Sequence, residues 1–150
     1  MTDRELMQAA IALAREAAAD GEVPVGAVVT KNGEIVSVGR NRREKDKNAL
    51  AHAEIEAIDR ACKALGGWRL WECELFVTLE PCPMCTGAII NARIPEVFYG
   101  APDEKAGTCG TLMNLLGDER FNHRASIEKG CLRNECGKLL SDFFASLRIR

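Results

Sequence analysis

The chain has 150 residues, 47% of them hydrophobic and 28% charged, with 20 Lys+Arg against 22 Asp+Glu for a net charge of −2. That is the composition of an ordinary folded protein, long enough to bury about 70% of the surface its unfolded form exposes. It excludes a globally basic nucleic-acid-binding chain but leaves room for a local basic face. No apolar run approaches the ~20 residues a membrane helix needs, and the first helix carries Asp3, Arg4, Glu5 and Arg15, unlike a secretory signal. The expectation is a cytoplasmic protein with no membrane association.

In chain order, Thr2 and Glu5 form a capping-box signature, and Leu6, Ala10, Leu13, Ala14 and Ala17 recur at helical spacing up to Gly21. Val25 to Thr30 and Ile35 to Val38 flank Asn32-Gly33, a pair that tolerates positive φ at both positions of a tight turn, so the spacing predicts a β-hairpin. A second helix runs from about Ala51 to Leu65, stopped by Gly66-Gly67. Leu75 to Leu79 reads as a buried strand, and after Pro81 a third helix is expected from Cys82 to about Asn91. Val97 to Tyr99 is a further strand. The glycine-rich stretch from Gly100 to Gly117 reads as loop around a short helix near Leu112 to Leu116. Ser126 to Glu128 is the last strand, and Arg133 to Leu147 a closing amphipathic helix. Helices alternating with strands after an initial hairpin predict a layered α/β fold with one mixed sheet. No repeat, low-complexity stretch or linker divides residues 1–150, which read as one domain.

The 7 cysteines, Cys62, Cys73, Cys82, Cys85, Cys109, Cys131 and Cys136, are odd in number and irregular in spacing, which argues against a disulfide framework. Five of them suit buried packing. Cys82 and Cys85 differ, because residues three apart at a helix start share a face and can grip one ion as a pair of thiolates. His52, at the start of the neighbouring helix, would add an imidazole. Three protein ligands leave a fourth tetrahedral position for water, the arrangement of catalytic zinc. Both segments sit at predicted helix N-termini, whose positive end favours thiolates and hydroxide. Zinc with two thiolates and one neutral imidazole has no net charge, so it acidifies water less than zinc held by neutral ligands alone, and a nearby base becomes useful. Glu54, two residues beyond His52, is free to face that water. Two other readings stay open at this level. A lone CxxC suits a redox pair, though that leaves His52 and Glu54 unexplained. A closed structural zinc site would draw a fourth ligand from Cys109, Cys131, Cys136 or His123.

The combination H-x-E followed by P-C-x-x-C, here His52-Ala53-Glu54 and Pro81-Cys82-Pro83-Met84-Cys85, is the signature of zinc nucleobase deaminases. With Glu22-Val23-Pro24-Val25-Gly26-Ala27, Asn41, Tyr99-Gly100-Ala101-Pro102-Asp103, Phe121-Asn122-His123-Arg124 and Leu139-Leu140-Ser141-Asp142-Phe143-Phe144, the chain resembles the bacterial tRNA-specific adenosine deaminases of the cytidine-deaminase superfamily over nearly its whole length. It departs from that family's usual pattern at Asn48-Ala49-Leu50, where an Asp-Pro-Thr-like run is common, and at Pro83. The resemblance implies a three-layer α/β/α cytidine-deaminase-like domain, with a central mixed five-stranded sheet and helices on both faces. It implies one Zn2+ per subunit, a homodimer, and a tRNA anticodon stem-loop as partner. The wobble adenosine would become inosine by hydroxide attack on adenine C6, with Glu54 as proton shuttle. Asn41 would hydrogen-bond the base, Val25 would pack against it and Asp103 would lie near the ribose-phosphate. His123, Phe143 and Phe144 would border neighbouring nucleotides. Stacking and edge hydrogen bonds of this kind are how single-stranded RNA is read. Phosphate contacts are expected from the late basic residues Arg124, Lys129, Arg133, Lys138, Arg148 and Arg150.

Overall fold

The computed structural model describes residues 1–149. Its helices and strands are α1 (Asp3–Ala19), β1 (Gly26–Lys31), β2 (Glu34–Arg40), α2 (Ala53–Leu65), β3 (Cys73–Leu79), α3 (Pro83–Ala92), β4 (Glu96–Ala101), β5 (Ser126–Lys129) and α4 (Arg133–Ile149). Local chemistry sets several boundaries as expected. Thr2 Oγ1 accepts from the Glu5 N–H at 3.1 Å while Glu5 Oε1 accepts from the Thr2 N–H at 3.0 Å, closing the capping box. Asn32 and Gly33 both take positive φ, 54° and 76°, in the turn between β1 and β2.

The five strands form one mixed sheet in the order β2-β1-β3-β4-β5. β1 pairs antiparallel with β2 and β3, whereas β4 pairs parallel with β3 and β5. Alternation along the strands splits the core in two. Ala27, Val29, Leu75, Val77, Val97 and Tyr99 face one side, where Ala57, Ala61 and Ile89 of α2 and α3 cover them. Val28, Phe76 and Phe98 face the other, under Leu6, Met7, Ala10 and Ile11 of α1 and Cys136 of α4. Phe76 and Phe98 stack with ring centroids 4.3 Å apart. The result is the α/β/α sandwich implied by the resemblance.

One glycine in β2 sets how close α2 comes to the sheet. A Cβ at Gly39 would overlap the Ala53 carbonyl and press on the Ala57 N at 2.7 Å, so the first turn of α2 lies directly against β2. That contact fixes the helix end from which His52 and Glu54 project.

The short helix expected near Leu112–Leu116 is absent. That stretch is a set of turns with an isolated bridge between Cys109 and Asn114. Its N–H groups bond elsewhere: Thr111 to Glu80 Oε2 at 3.1 Å, Leu112 to the Gly107 carbonyl and Leu115 to the Thr108 carbonyl. Leu112 and Met113 point outward, so only Leu115 and Leu116 meet the core, too few to order a helix face. Among the described residues no helix is long and apolar enough to cross a membrane.

Candidate active site

Four sheet-to-loop junctions and two helix starts converge at one end of the strands. Val25 precedes β1, Asn41 follows β2, and Glu80 follows β3 and leads directly into α3. Asp103 follows β4, and α2 begins beside them. The ends of an open α/β sheet are where such folds place ligands.

The two motif segments enter their helices slightly later than their spacing suggests. Helix α2 begins at Ala53 with His52 as N-cap, and α3 begins at Pro83 with Cys82 as N-cap. Residues 48–51 are held in a turn, where Asn48 Oδ1 accepts from the Leu50 N–H at 2.9 Å and the Asn48 carbonyl from the Ala51 N–H. Neither N-cap side chain is used to cap its own helix, which leaves both for a ligand. His52 Nδ1 lies 3.5 Å from Cys85 Sγ and 3.7 Å from Cys82 Sγ. The three candidate ligand atoms all fall within 4.8 Å of one another. Tetrahedral zinc with ordinary Zn–S and Zn–N bonds places nitrogen and sulfur ligands about 3.6 Å apart, so the trio already has the spacing the ion requires.

The electrostatics are those of a site built for charge. The Cys82 thiol, hydrogen-bonded by Cys85 and by His52, is lowered to about 4. Cys85 is pushed up by its hydrogen bond to Cys82 and by burial. His52 is raised, chiefly by its hydrogen bond to Cys82. Glu54 is buried, and desolvation lifts its carboxyl to about 7, the range a proton shuttle needs at neutral pH.

Beside these groups opens a cavity of about 230 Å³ that Val23, Val25, Asn41, Arg43, Leu79 and Asp103 help to line. Asn41 is held there by both ends of its amide: Nδ2 donates to the Val23 carbonyl at 3.1 Å, and Oδ1 accepts from the Arg43 N–H at 3.1 Å. One amide hydrogen and one oxygen lone pair remain for a ligand. Asp103 Oδ1 accepts from the N–H groups of Lys105 and Ala106, so this carboxylate also shapes its own loop. Phe144 is exposed in a groove that shares Val23, Leu79 and Asp103 with the cavity. Phe143 is buried and meets Phe144 edge-on at 5.6 Å. His123 stands apart, its Nε2 bonded to the Ile94 carbonyl at 2.8 Å, beyond the far end of α3. Cys109 sits in the core near Thr86, and the ligand group contains neither it, Cys131, Cys136 nor His123. Sequence reasoning gave no role to Glu22 or Glu80, two buried carboxylates, of which Glu80 borders the cavity and Glu22 lies behind the loop that begins at Asn41. A charged residue at the end of an apolar strand was the available signal for Glu80, and a place in a segment that carries the family resemblance the one for Glu22; neither names a hydrogen-bond partner.

This fold and site define a deaminase, an enzyme acting on C–N bonds. The profile of the MafB19-like deaminase family matches residues 1–148. A tRNA-specific adenosine deaminase of Bacillus subtilis (strain 168) is 54% identical over 149 residues, 99% of this chain and 92% of that protein. A solved structure from studies of A-to-I editing by tRNA:A34 deaminases at the wobble position of transfer RNA superposes with a TM-score of 0.87 at 38% identity, covering 91% of this chain and 99% of that one. A guanine deaminase structure from Bacillus subtilis superposes with a TM-score of 0.67 at 41% identity, covering 74% of this chain and 71% of that one. More narrowly, the chain belongs to the family of tRNA-specific adenosine deaminases.

Proposed function

We propose that the protein hydrolyses the wobble adenosine of a tRNA anticodon loop to inosine and ammonia. The observation that carries this reading is the His52, Cys82 and Cys85 trio at tetrahedral spacing beside a buried carboxyl, Glu54, held near neutrality. His52, Cys82 and Cys85 would hold one Zn2+, which when bound supplies Lewis-acid activation of water. Glu54 takes one proton from the attacking water and delivers it to the purine ring nitrogen as C6 becomes tetrahedral; it then takes the remaining proton of the C6 hydroxyl and passes it to the amino group, which leaves as ammonia as the C6 carbonyl of inosine forms. The remaining hydrogen and lone pair of Asn41 meet the base edge, and Val25 packs on its face. Asp103 lies beside the ribose-phosphate. Phe144 offers a ring to a neighbouring nucleotide, and Phe143 braces it from the core. His123 pins the 117–125 loop to the end of α3, and any contact it makes with RNA lies outside this cavity. The working form is a cytoplasmic homodimer, as the family resemblance implies, and exposed Leu112 and Met113 offer apolar surface to a second copy.

The likeness to a guanine deaminase chooses the controls. The purified protein, carrying about one zinc per chain, should form inosine on an anticodon stem-loop with a wobble adenosine. It should leave free adenine, guanine, cytosine and cytidine unchanged. Turnover of free guanine with none on the stem-loop overturns the tRNA reading while keeping the metal site.

A further inference from the structure

Two of the cavity's walls are irregular loops, and each of these loops is held by a buried carboxylate. Glu80 is 1% exposed and Glu22 2%. Among the described residues neither pairs with a Lys or Arg; both spend their oxygens on backbone N–H groups of the loops. Glu80 Oε1 accepts from the Asp103 N–H at 3.0 Å and from the Thr111 hydroxyl, and Oε2 from the N–H groups of Cys109 and Thr111 at 3.0 and 3.1 Å. Glu22 Oε1 accepts from the Glu44 N–H at 3.0 Å, and Oε2 from the Lys45 N–H at 2.7 Å. The first loop carries Asp103 and Ala106 to the cavity, and the second carries Arg43 and begins at Asn41.

We propose that Glu22 and Glu80 are positioning residues for substrate: each sets one wall of the nucleoside pocket by holding its loop at a fixed distance from the sheet. This rests on the tRNA-deaminase reading of the site. A carboxylate accepts about four hydrogen bonds, and Glu80 receives four from the loop, so no lone pair is left for substrate although it borders the cavity. Its action passes through Asp103 and Ala106. The loop is shaped to admit the carboxylate. A Cβ at Gly107 would overlap the Glu80 carboxyl, so only glycine lets the loop close on it.

An isosteric amide separates positioning from bulk. In Glu80→Gln or Glu22→Gln one oxygen becomes an NH2 that faces N–H donors, which loosens the loop without opening a void. In steady-state kinetics on the anticodon stem-loop each variant should raise KM by about tenfold or more, the loss expected for hydrogen bonds to a charged group. The kcat should stay within about twofold, with bound zinc unchanged. Native-state amide exchange should accelerate at Asp103, Cys109 and Thr111 in Glu80→Gln, and at Glu44 and Lys45 in Glu22→Gln. Gly107→Ala, which displaces the loop while keeping the glutamate, should match Glu80→Gln. Accelerated exchange with an unchanged KM overturns the proposal, since the carboxylates then serve stability alone. A fall in kcat at constant KM also overturns it, by placing a glutamate in the chemistry. Should Glu80→Gln fail to fold, Glu22→Gln decides by the same readouts. A parent enzyme silent on the stem-loop overturns the functional reading itself, and with it the substrate role of both glutamates.

Discussion

Glu54 meets two opposed demands. The proton-shuttle role proposed for it asks for a carboxyl that gains and loses a proton near neutral pH, and burial provides one by lifting it from the ordinary 4.5 to about 7. Stability suffers for the same reason. Between those two values the folded chain holds a proton that the unfolded chain has released, so rising pH lowers stability through that window and no further above it. Replacing the residue should therefore divide the two effects. Glu54→Gln should lose inosine formation by ~10²–10⁴-fold, the scale of a positioned acid-base group. The metal-stripped variant should be more stable than its metal-stripped parent at pH 8 by about 1–3 kcal/mol, with little difference at pH 5. Urea midpoints at the two pH values read this, and an equal shift at both would show that ionisation is not the cause. Glu54 and the zinc-spaced trio were legible in the sequence because their signature is local: His52 and Glu54 lie two residues apart, Cys82 and Cys85 three. Asn41 was legible only by resemblance, since nothing local says that both ends of its amide are held by Val23 and Arg43.

At the scale of elements, local patterns carried most of the fold: helical spacing marked α1, Asn32-Gly33 the hairpin, and a short apolar run the buried strand β3. Because these strands are buried on both sides, residues 27, 29, 75, 77, 97 and 99 face one layer and 28, 76 and 98 the other. Where local pattern failed, long-range hydrogen bonding had prevailed. The run Leu112–Leu116 looks helical, yet its donors and those of Thr111 just before it go to Glu80, Gly107 and Thr108. Strand β1 holds one further tension. Thr30 is fully buried, and among the described residues its Oγ1 is the one buried side-chain N or O atom without a hydrogen-bond partner. A β-branched apolar residue of the same shape removes that uncompensated hydroxyl. Thr30→Val should raise stability by about 1 kcal/mol in chemical denaturation, with activity unchanged. A loss of stability would mean that the hydroxyl finds a partner in solution.

For the whole molecule, a net charge of −2 and the proposed RNA substrate are reconciled by where the charge lies. Arg133 and Lys129 border one groove, Arg133 and Lys138 the next, and both grooves run past Pro102. Pro102 in turn borders the groove of Phe144, which shares Asp103 with the cavity. A basic track thus leads away from the pocket along the start of α4. Lys138 is partly committed to Asp142 at 2.7 Å, and Arg150 lies outside the described residues. Stem-loop affinity should fall linearly with the logarithm of salt concentration, and Arg133→Ala should reduce that slope by about 0.7, the value for one phosphate contact on a single strand. An unchanged slope would take Arg133 out of the interface.

The amino-acid sequence by itself determined the reaction class and the layered architecture. Metal-ligand spacing, helix caps, the hairpin turn and the apolar strand runs are all written over a few residues, where short-range sterics and burial act. Tertiary structure decided the pocket. Glu22 reaches loop partners 22 and 23 residues away, and Glu80 partners up to 31 away, so no local pattern could reveal them. It also decided which family-matched residues gather there, drawing in Asn41, Val25 and Asp103 while tying His123 to Ile94 elsewhere. A buried carboxylate must find its hydrogen-bond donors wherever the fold brings them, and only the folded chain says where that is.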